Sequence, residues 1–152
     1  MRWSDWVLVL HIVAVAAWLG ANLVQAFMAS RTRNAGRAER RWWVETQGAM
    51  ARAYYNVAGI VVLATGIALV LDDQRPGEFS STFVSIGFAA VIIGAVLGIV
   101  VFGPGSRKIA AAIDAGDEAT ERALDTRLGL FGAVDTLVVV VTIAAMVGKW
   151  GL

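Results

Sequence analysis

Residues 79–106 have the sequence FSSTFVSIGFAAVIIGAVLGIVVFGPGS, and none of these side chains carries a formal charge. About 20 mostly apolar residues are enough for one helix to cross the hydrocarbon core of a membrane. Three other long stretches also lack formally charged side chains: residues 6–30, 53–71 and 128–148, the last of which is interrupted by Asp135 alone. Because backbone polar groups in lipid must pair within their own segment, each stretch is predicted to be a helix.

The sequence therefore predicts an all-α protein, a bundle of four transmembrane helices in a single membrane domain over residues 1–152. The predicted spans are about 6–29, 53–72, 81–103 and 128–148. The composition agrees with this class, because 58% of the residues are hydrophobic and only 16% are charged, against roughly 25% charged residues in soluble domains.

The same composition excludes several classes of protein. The chain has no Cys and one His, so it cannot form a disulfide scaffold, and it cannot by itself build a Cys-rich zinc site or an iron–sulfur cluster. We predict no metal site. A net charge of +1 gives no indication of nucleic-acid binding. The lipid bilayer is the expected partner.

Basic residues are concentrated in the first and third loops, and this bias predicts the orientation. The positive-inside rule places these two loops in the cytoplasm and both termini on the extracytoplasmic side. Residues 38–52 contain good helix formers and no breaker before Gly48, so helix 2 is predicted to extend into the cytoplasm. The basic residues concerned are Arg31, Arg33, Arg37, Arg40 and Arg41 in the first loop, and Arg107, Lys108, Arg122 and Arg127 in the third.

Gly and Pro residues predict where helix three ends. Gly103-Pro104-Gly105 is expected to terminate it, and a short amphipathic helix over 106–114 is expected to follow. Gly116 would stop that helix. Asp117 and Glu118 then suit the N-terminus of the last helix.

The first span carries a stripe of chemically distinctive side chains on one helical face: His11, Trp18, Asn22 and Gln25. Polar groups are costly in lipid, so this face is expected to point into the bundle. For Asn22 and Gln25 the simplest interpretation is hydrogen bonding between helices. His11 is either a neutral imidazole bonded within the bundle, or a haem ligand, a metal ligand or a proton relay.

Asp135 lies inside the fourth span, where the insertion of a carboxylate into the membrane costs about 2.5–3.5 kcal/mol of free energy. It must therefore be paired, protonated or close to water. One interpretation is a structural ion pair with Arg52, and the other is a proton or cation site. By depth, its predicted partners in a polar intramembrane cluster are Asn22, Gln25, Arg52 and Asn56.

Glycines at helical spacing predict close packing along the third span. Gly87, Gly94 and Gly98 share a narrow face, and Gly94 to Gly98 form a GxxxG motif. Such motifs let two helices approach closely in a membrane. The neighbour is either another helix of the bundle or a second subunit.

His11-Ile12 and Trp18-Leu19-Gly20 form a pattern that resembles the first helix of small bacterial four-helix membrane proteins. That group includes HemJ-type protoporphyrinogen oxidases, copper-resistance D-type membrane domains and proteins of uncharacterised function. HemJ-type chains continue with Pro-Arg and a second His, whereas Asn22-Leu23-Val24-Gln25-Ala26 stands here. The uncharacterised branch is therefore the best match.

The resemblance implies a multi-pass protein of the bacterial inner membrane. In its HemJ-like members it implies haem b as cofactor, the residue matching His11 as its ligand and porphyrinogen oxidation as the reaction. Trp18, deeper on the same face, would then pack against the macrocycle.

Three functions are compatible with these observations. The first is a non-catalytic accessory, assembly or scaffold component, in a homo-oligomer or a larger membrane complex. The second is a haem- or porphyrin-binding membrane protein with His11 as ligand, which as an enzyme would be a HemJ-like oxidoreductase. The third is a proton or cation transporter or channel that uses Asp135.

Overall fold

A computed structural model describes residues 2–72 and 80–151, and within these ranges the chain is helical with no strand. The helices are α1 (Trp3–Thr32), α2 (Arg37–Arg52), α3 (Tyr54–Val70), α4 (Thr82–Val96), α5 (Gly103–Ala115) and α6 (Glu118–Val147). A π-helical segment, Leu97–Phe102, joins α4 to α5.

These elements form four long rods, because α2 continues into α3 and α4 continues through the π-helical segment into α5. In the described part of the chain, four helices are long and apolar enough to cross a membrane: Trp3–Thr32, Arg37–Val70, Thr82–Ala115 and Glu118–Val147. The predicted all-α four-helix bundle is confirmed. Many large apolar side chains face outward, such as Ile99 and Val147, as expected where lipid is the solvent.

All four rods are longer than the hydrocarbon core is thick, and two of them exceed it most. A rod of 34 residues measures about 51 Å, whereas the hydrocarbon core is roughly 30 Å thick. The excess forms a helical extension, made of α2, α5 and residues 118–128 of α6. Helix 2 therefore does begin well before its apolar part, as its sequence predicts.

The extension has its own core. Val44 of α2 packs with Ile109 and Ile113 of α5, and Leu124 and Leu128 of α6 pack around them. This small apolar centre holds the ends of the three helices together outside the apolar spans.

A buried cation reinforces that contact. The Nε of Arg40 donates to Glu121 at 2.8 Å, and its Nη2 lies 2.7 Å from Asp125. At the surface, Arg41 pairs with Asp114 and with Glu45. Both cations belong to α2, and they join it to α5 and α6.

The link between α5 and α6 follows the sequence signals. Gly116 has a φ of 71°, a left-handed conformation that Gly adopts without strain. The carboxylate of Asp117 accepts a hydrogen bond from the backbone N–H of Thr120 at 3.0 Å, which caps α6. Hydrogen bonds from Thr120 lower the pKa of Asp117.

The prediction that Gly103-Pro104-Gly105 ends helix three is wrong, because the helical rod continues to Ala115. α5 begins at Gly103 without a break, and Pro104 occupies its first turn, where the missing N–H removes no required hydrogen bond. The N–H of Gly103 bonds instead to Gly98 O in the π-helical segment. Gly105 makes room for Leu128, since a Cβ there would lie 2.5 Å from Leu128 Cδ1.

Candidate functional site

His11 lies in α1, buried against α3. Its Nδ1 is 2.8 Å from Thr65 Oγ1, and the same hydroxyl lies 2.5 Å from the carbonyl oxygen of Val61. A threonine hydroxyl has one proton to donate. When that proton is given to the carbonyl of Val61 or Val62, the tautomer of His11 with its proton on Nδ1 donates to Thr65, and the lone pair of the imidazole is then on Nε2.

His11 also lies within hydrogen-bonding reach of the Val62 backbone, and it lines an apolar cavity of about 380 Å³. Ligand pockets typically measure about 300–1,000 Å³. α1, α3, α4 and α6 all contribute to the cavity wall. Besides His11, the residues that line the cavity include Gly66, Phe83, Phe88, Met146 and Lys149.

Two of these residues shape the chemistry of the cavity. Met146 and His11 line the same cavity, to which Met146 contributes a thioether. Histidine and methionine side chains are both known ligands of haem iron. Lys149 Nζ lies 5.3 Å from the centroid of the Phe83 ring. An occupant would therefore meet a nitrogen lone pair and a sulfur within a largely hydrocarbon surface.

Trp18, predicted beside a cofactor, does not line this cavity. Its indole Nε1 donates to Asp135 Oδ2 at 3.2 Å, and its ring meets Tyr55 edge-on, with centroids 6.3 Å apart. Trp18 lies instead in an apolar cluster with Ala14, Val62 and Val139. That cluster separates His11 from Asp135.

Asp135 is 5% exposed and lies between α6 and α1. Asn22 Nδ2 donates to its Oδ2 at 2.7 Å, so this oxygen accepts two hydrogen bonds, one from Asn22 and one from Trp18. In the described part of the chain the other oxygen, Oδ1, has no hydrogen-bond partner. It faces Gly94 of α4, 3.6 Å from where a Cβ on that glycine would lie.

A chain of hydrogen bonds leads from Asp135 toward the extension, and we call it the Asp135 chain. Tyr55 Oη donates to Asn22 Oδ1 at 2.7 Å, and Gln25 Nε2 donates to Tyr55 Oη at 2.8 Å. Gln47 Nε2, in α2, lies 3.5 Å from Gln25 Oε1. Every donor in this series points toward Asp135, so the bonds reinforce one another.

Sequence reasoning missed Tyr55 and Gln47. Neither residue is in the polar cluster that the sequence predicts. The sequence feature that could have placed Tyr55 inside the bundle is its helical spacing with Ala58, Val62 and Thr65, which are the buried residues of α3. Gln47 shares a face of α2 with the buried Arg40 and Trp43, at helical spacing.

The structure brings Asn22, Gln25 and Asp135 together, but it does not place Arg52 and Asn56 with them. Both are exposed, and Asn56 Nδ2 donates to the backbone oxygen of Arg52 at 2.6 Å. The expected Arg52–Asp135 ion pair is absent from the described residues. Arg52 Nη1 instead lies 3.6 Å from the Cβ position of Gly48, one turn nearer the extension, as a long cation does when it reaches for the membrane surface.

The three glycines of the third span have different surroundings. A Cβ on Gly94 would lie 2.6 Å from Cη2 of Trp18 and closer still to Cζ2, and one on Gly87 would lie 2.8 Å from Met146 Cε. A Cβ on Gly98 would meet nothing within 4 Å. Gly94 and Gly87 thus accommodate neighbours within the bundle, while Gly98 does not.

Comparison with models of protein families, with curated proteins and with solved structures gives no match for this chain. The resemblance to HemJ-type and copper-resistance D-type proteins therefore stays a prediction.

Proposed function

We propose that this four-helix membrane protein binds a lipid-soluble ligand in the His11 cavity and holds it through His11 Nε2. The observation that carries the proposal is the fixed imidazole. With the proton of His11 on Nδ1 and given to Thr65, the lone pair on Nε2 is available in an apolar cavity of ligand size. An outer hydrogen bond of this kind orients metal-ligating histidines.

Haem b, the cofactor that the sequence resemblance implies, is the ligand we propose. The side chains present suit it, since His11 and Met146 line one cavity and His/Met is a known pair of axial haem ligands. Bound haem would supply one-electron chemistry. The protein's own part is to orient the imidazole through Thr65 and to exclude water with Phe83 and Phe88.

Protein purified after expression with excess haem is expected to show a Soret band that His11→Ala abolishes. Thr65→Val keeps the shape but removes the hydroxyl, and it should weaken haem binding by about 10–100-fold. Met146→Leu should retain haem with an altered absorption spectrum. The measurement is a haem titration followed by absorption.

Met28→Leu is the matched control, because Met28 does not line the cavity, and its spectrum should equal that of the wild type. Absence of a Soret band from the wild-type protein, or an equal band in His11→Ala, would refute haem binding at this site.

The accessory, assembly or scaffold role, which the sequence favours, remains a proposal beside this one. The hydrogen bonds that Asn22, Gln25 and Tyr55 make between helices support it, because they serve equally well to hold a bundle together. Co-purification of defined membrane partners or of a homo-oligomer from native membranes would support it, and a partnerless protein would count against it.

A proton or cation pathway through Asp135 is a further candidate, and the Asp135 chain is the observation that favours it. Its membership differs from the sequence prediction, with Tyr55 and Gln47 in place of Arg52 and Asn56. Cation flux into liposomes that Asp135→Asn leaves unchanged would exclude Asp135 as the conducting site.

We further propose that the protein lies in the bacterial inner membrane with the extension in the cytoplasm, because the basic loops belong to that end. The chain has no Cys, so single cysteines can report the orientation. In intact spheroplasts, a membrane-impermeant maleimide should label Lys149→Cys and spare Ala38→Cys until the membrane is opened. The reverse pattern would invert the proposed topology.

A further inference from the structure

Asp135 has no counter-charge within the described ranges, although it is buried among membrane-spanning helices. It forms no ion pair there, and Arg52, the cation predicted to neutralise it, leans toward the extension. An unpaired carboxylate at this depth costs about 2.5–3.5 kcal/mol. Two direct donors and the aligned Asp135 chain offset part of that cost.

The two oxygens of Asp135 are not equivalent. Oδ2 accepts from both Trp18 and Asn22, so its lone pairs are occupied. Oδ1 has no such partner within residues 2–72 and 80–151. A proton taken up by the carboxylate therefore belongs on Oδ1, where it displaces no existing hydrogen bond.

The surroundings of Asp135 differ on its two sides. Toward the extension lies the Asp135 chain, which ends at the half-buried Gln47. Toward the His11 cavity lies the apolar cluster, in which Val91 and Ile143 pack around Trp18 and Val139. Water enters polar contacts and not packed hydrocarbon, so the polar side is the accessible one. The carboxamides of the Asp135 chain keep their own protons, and the chain ends on Oδ2, so the transferred proton is carried by water beside the chain to Oδ1.

We propose that Asp135 is a proton-binding site that exchanges its proton with the extension side of the bundle and not with the side of the His11 cavity. In the uptake step, one proton from water at the extension joins the carboxylate at Oδ1 to give the neutral acid, and release is the reverse. The site requires neither a ligand in the His11 cavity nor net transport across the membrane.

Few titratable groups surround this carboxylate. From α1 it faces the uncharged Trp18 and Asn22, and from α4 it faces Gly94. Tyr55 of α3 is joined to it through Asn22. His11 lies beyond Trp18, two turns away along α1, and is not a carboxyl group. A carboxyl signal from within the bundle therefore reports Asp135.

Infrared difference spectroscopy across a pH change tests the proposal on the full-length protein in detergent or liposomes. We expect the stretching band of a protonated, buried carboxyl group to appear on acidification. Asp135→Asn should remove it, and Asp114→Asn, which alters a surface carboxylate paired with Arg41, should retain it. Absence of such a band, or its persistence in Asp135→Asn, would overturn the proposal whatever the flux and haem measurements show.

The rate at which the band appears after a rapid pH jump tests the route. Tyr55→Phe cuts the Asp135 chain without a change of shape, and we expect it to slow uptake by about tenfold or more. Gln47→Leu should act in the same direction, because it cuts the chain at the extension.

Tyr54→Phe is the matched control for the route. The Tyr54 hydroxyl donates to the backbone oxygen of Ala17 at 3.0 Å and lies outside the chain, so its loss should leave the rate unchanged. Equal rates in the Tyr54 and Tyr55 variants would refute access through the chain.

Discussion

Replacing Gly94 with alanine is expected to lower the free energy of unfolding by about 1–3 kcal/mol and to separate Trp18 from Asp135. The new Cβ would overlap the indole, at 2.6 Å from Cη2. Trp18 cannot easily yield, because its ring is buried in an apolar cluster and its Nε1 is hydrogen-bonded. Either α4 must move outward or the indole must leave Asp135.

The matched variant is Gly98→Ala, one turn further along the same rod. A Cβ there would meet nothing within 4 Å, so we expect a change within about 0.5 kcal/mol. Unfolding in mixed micelles would measure the stability of both variants, and tryptophan fluorescence would report the displacement of Trp18. Similar losses in the two variants would show that the glycines act as one packing motif.

Replacing Arg40 with alanine is expected to cost about 2–4 kcal/mol, because it leaves two partly buried carboxylates without their cation. Glu121 and Asp125 both bind the Arg40 guanidinium, and they would then repel each other. Thermal unfolding of the detergent-solubilised protein would measure the loss of stability.

Arg41→Ala provides the comparison within the same turn of α2. Arg41 also bridges to α5, but its partners Glu45 and Asp114 are exposed to solvent, where ion pairs contribute little. A small effect is expected. If the two variants lose equal stability, burial is not what makes the Arg40 contact strong.

The sequence predicts the helices well because the relevant signal is local. Charge-free runs such as residues 79–106 can only be helical in hydrocarbon, and the helix formers of residues 38–52 extend one rod beyond it. Capping residues act over a few positions, so Gly116 and Asp117 were also predicted correctly. The end of helix three was not predicted correctly, because Pro104 is compatible with a helix once a π-helical turn precedes it.

The polar cluster was harder to predict because depth along a helix does not determine direction around it. Arg52 and Asn56 have suitable depth for Asp135, yet they are exposed on the outer face. Tyr55, between them in sequence, faces inward and bonds to Asn22. Which residue faces the bundle depends on the packing angles of whole helices, and no short pattern encodes these angles.

The π-helical segment Leu97–Phe102 sets how far α5 is rotated relative to α4 about the axis of their common rod. Bonding to the fifth residue back accommodates one extra residue, and one residue corresponds to about 100° around an α-helix. Phe83 and Val84 can therefore meet Ala145 in the spanning part, while Ile109 and Ile113 meet Val44 in the extension. A single-residue deletion here would turn one of these two faces away from its neighbour, so the length of this segment is fixed by both interfaces at once.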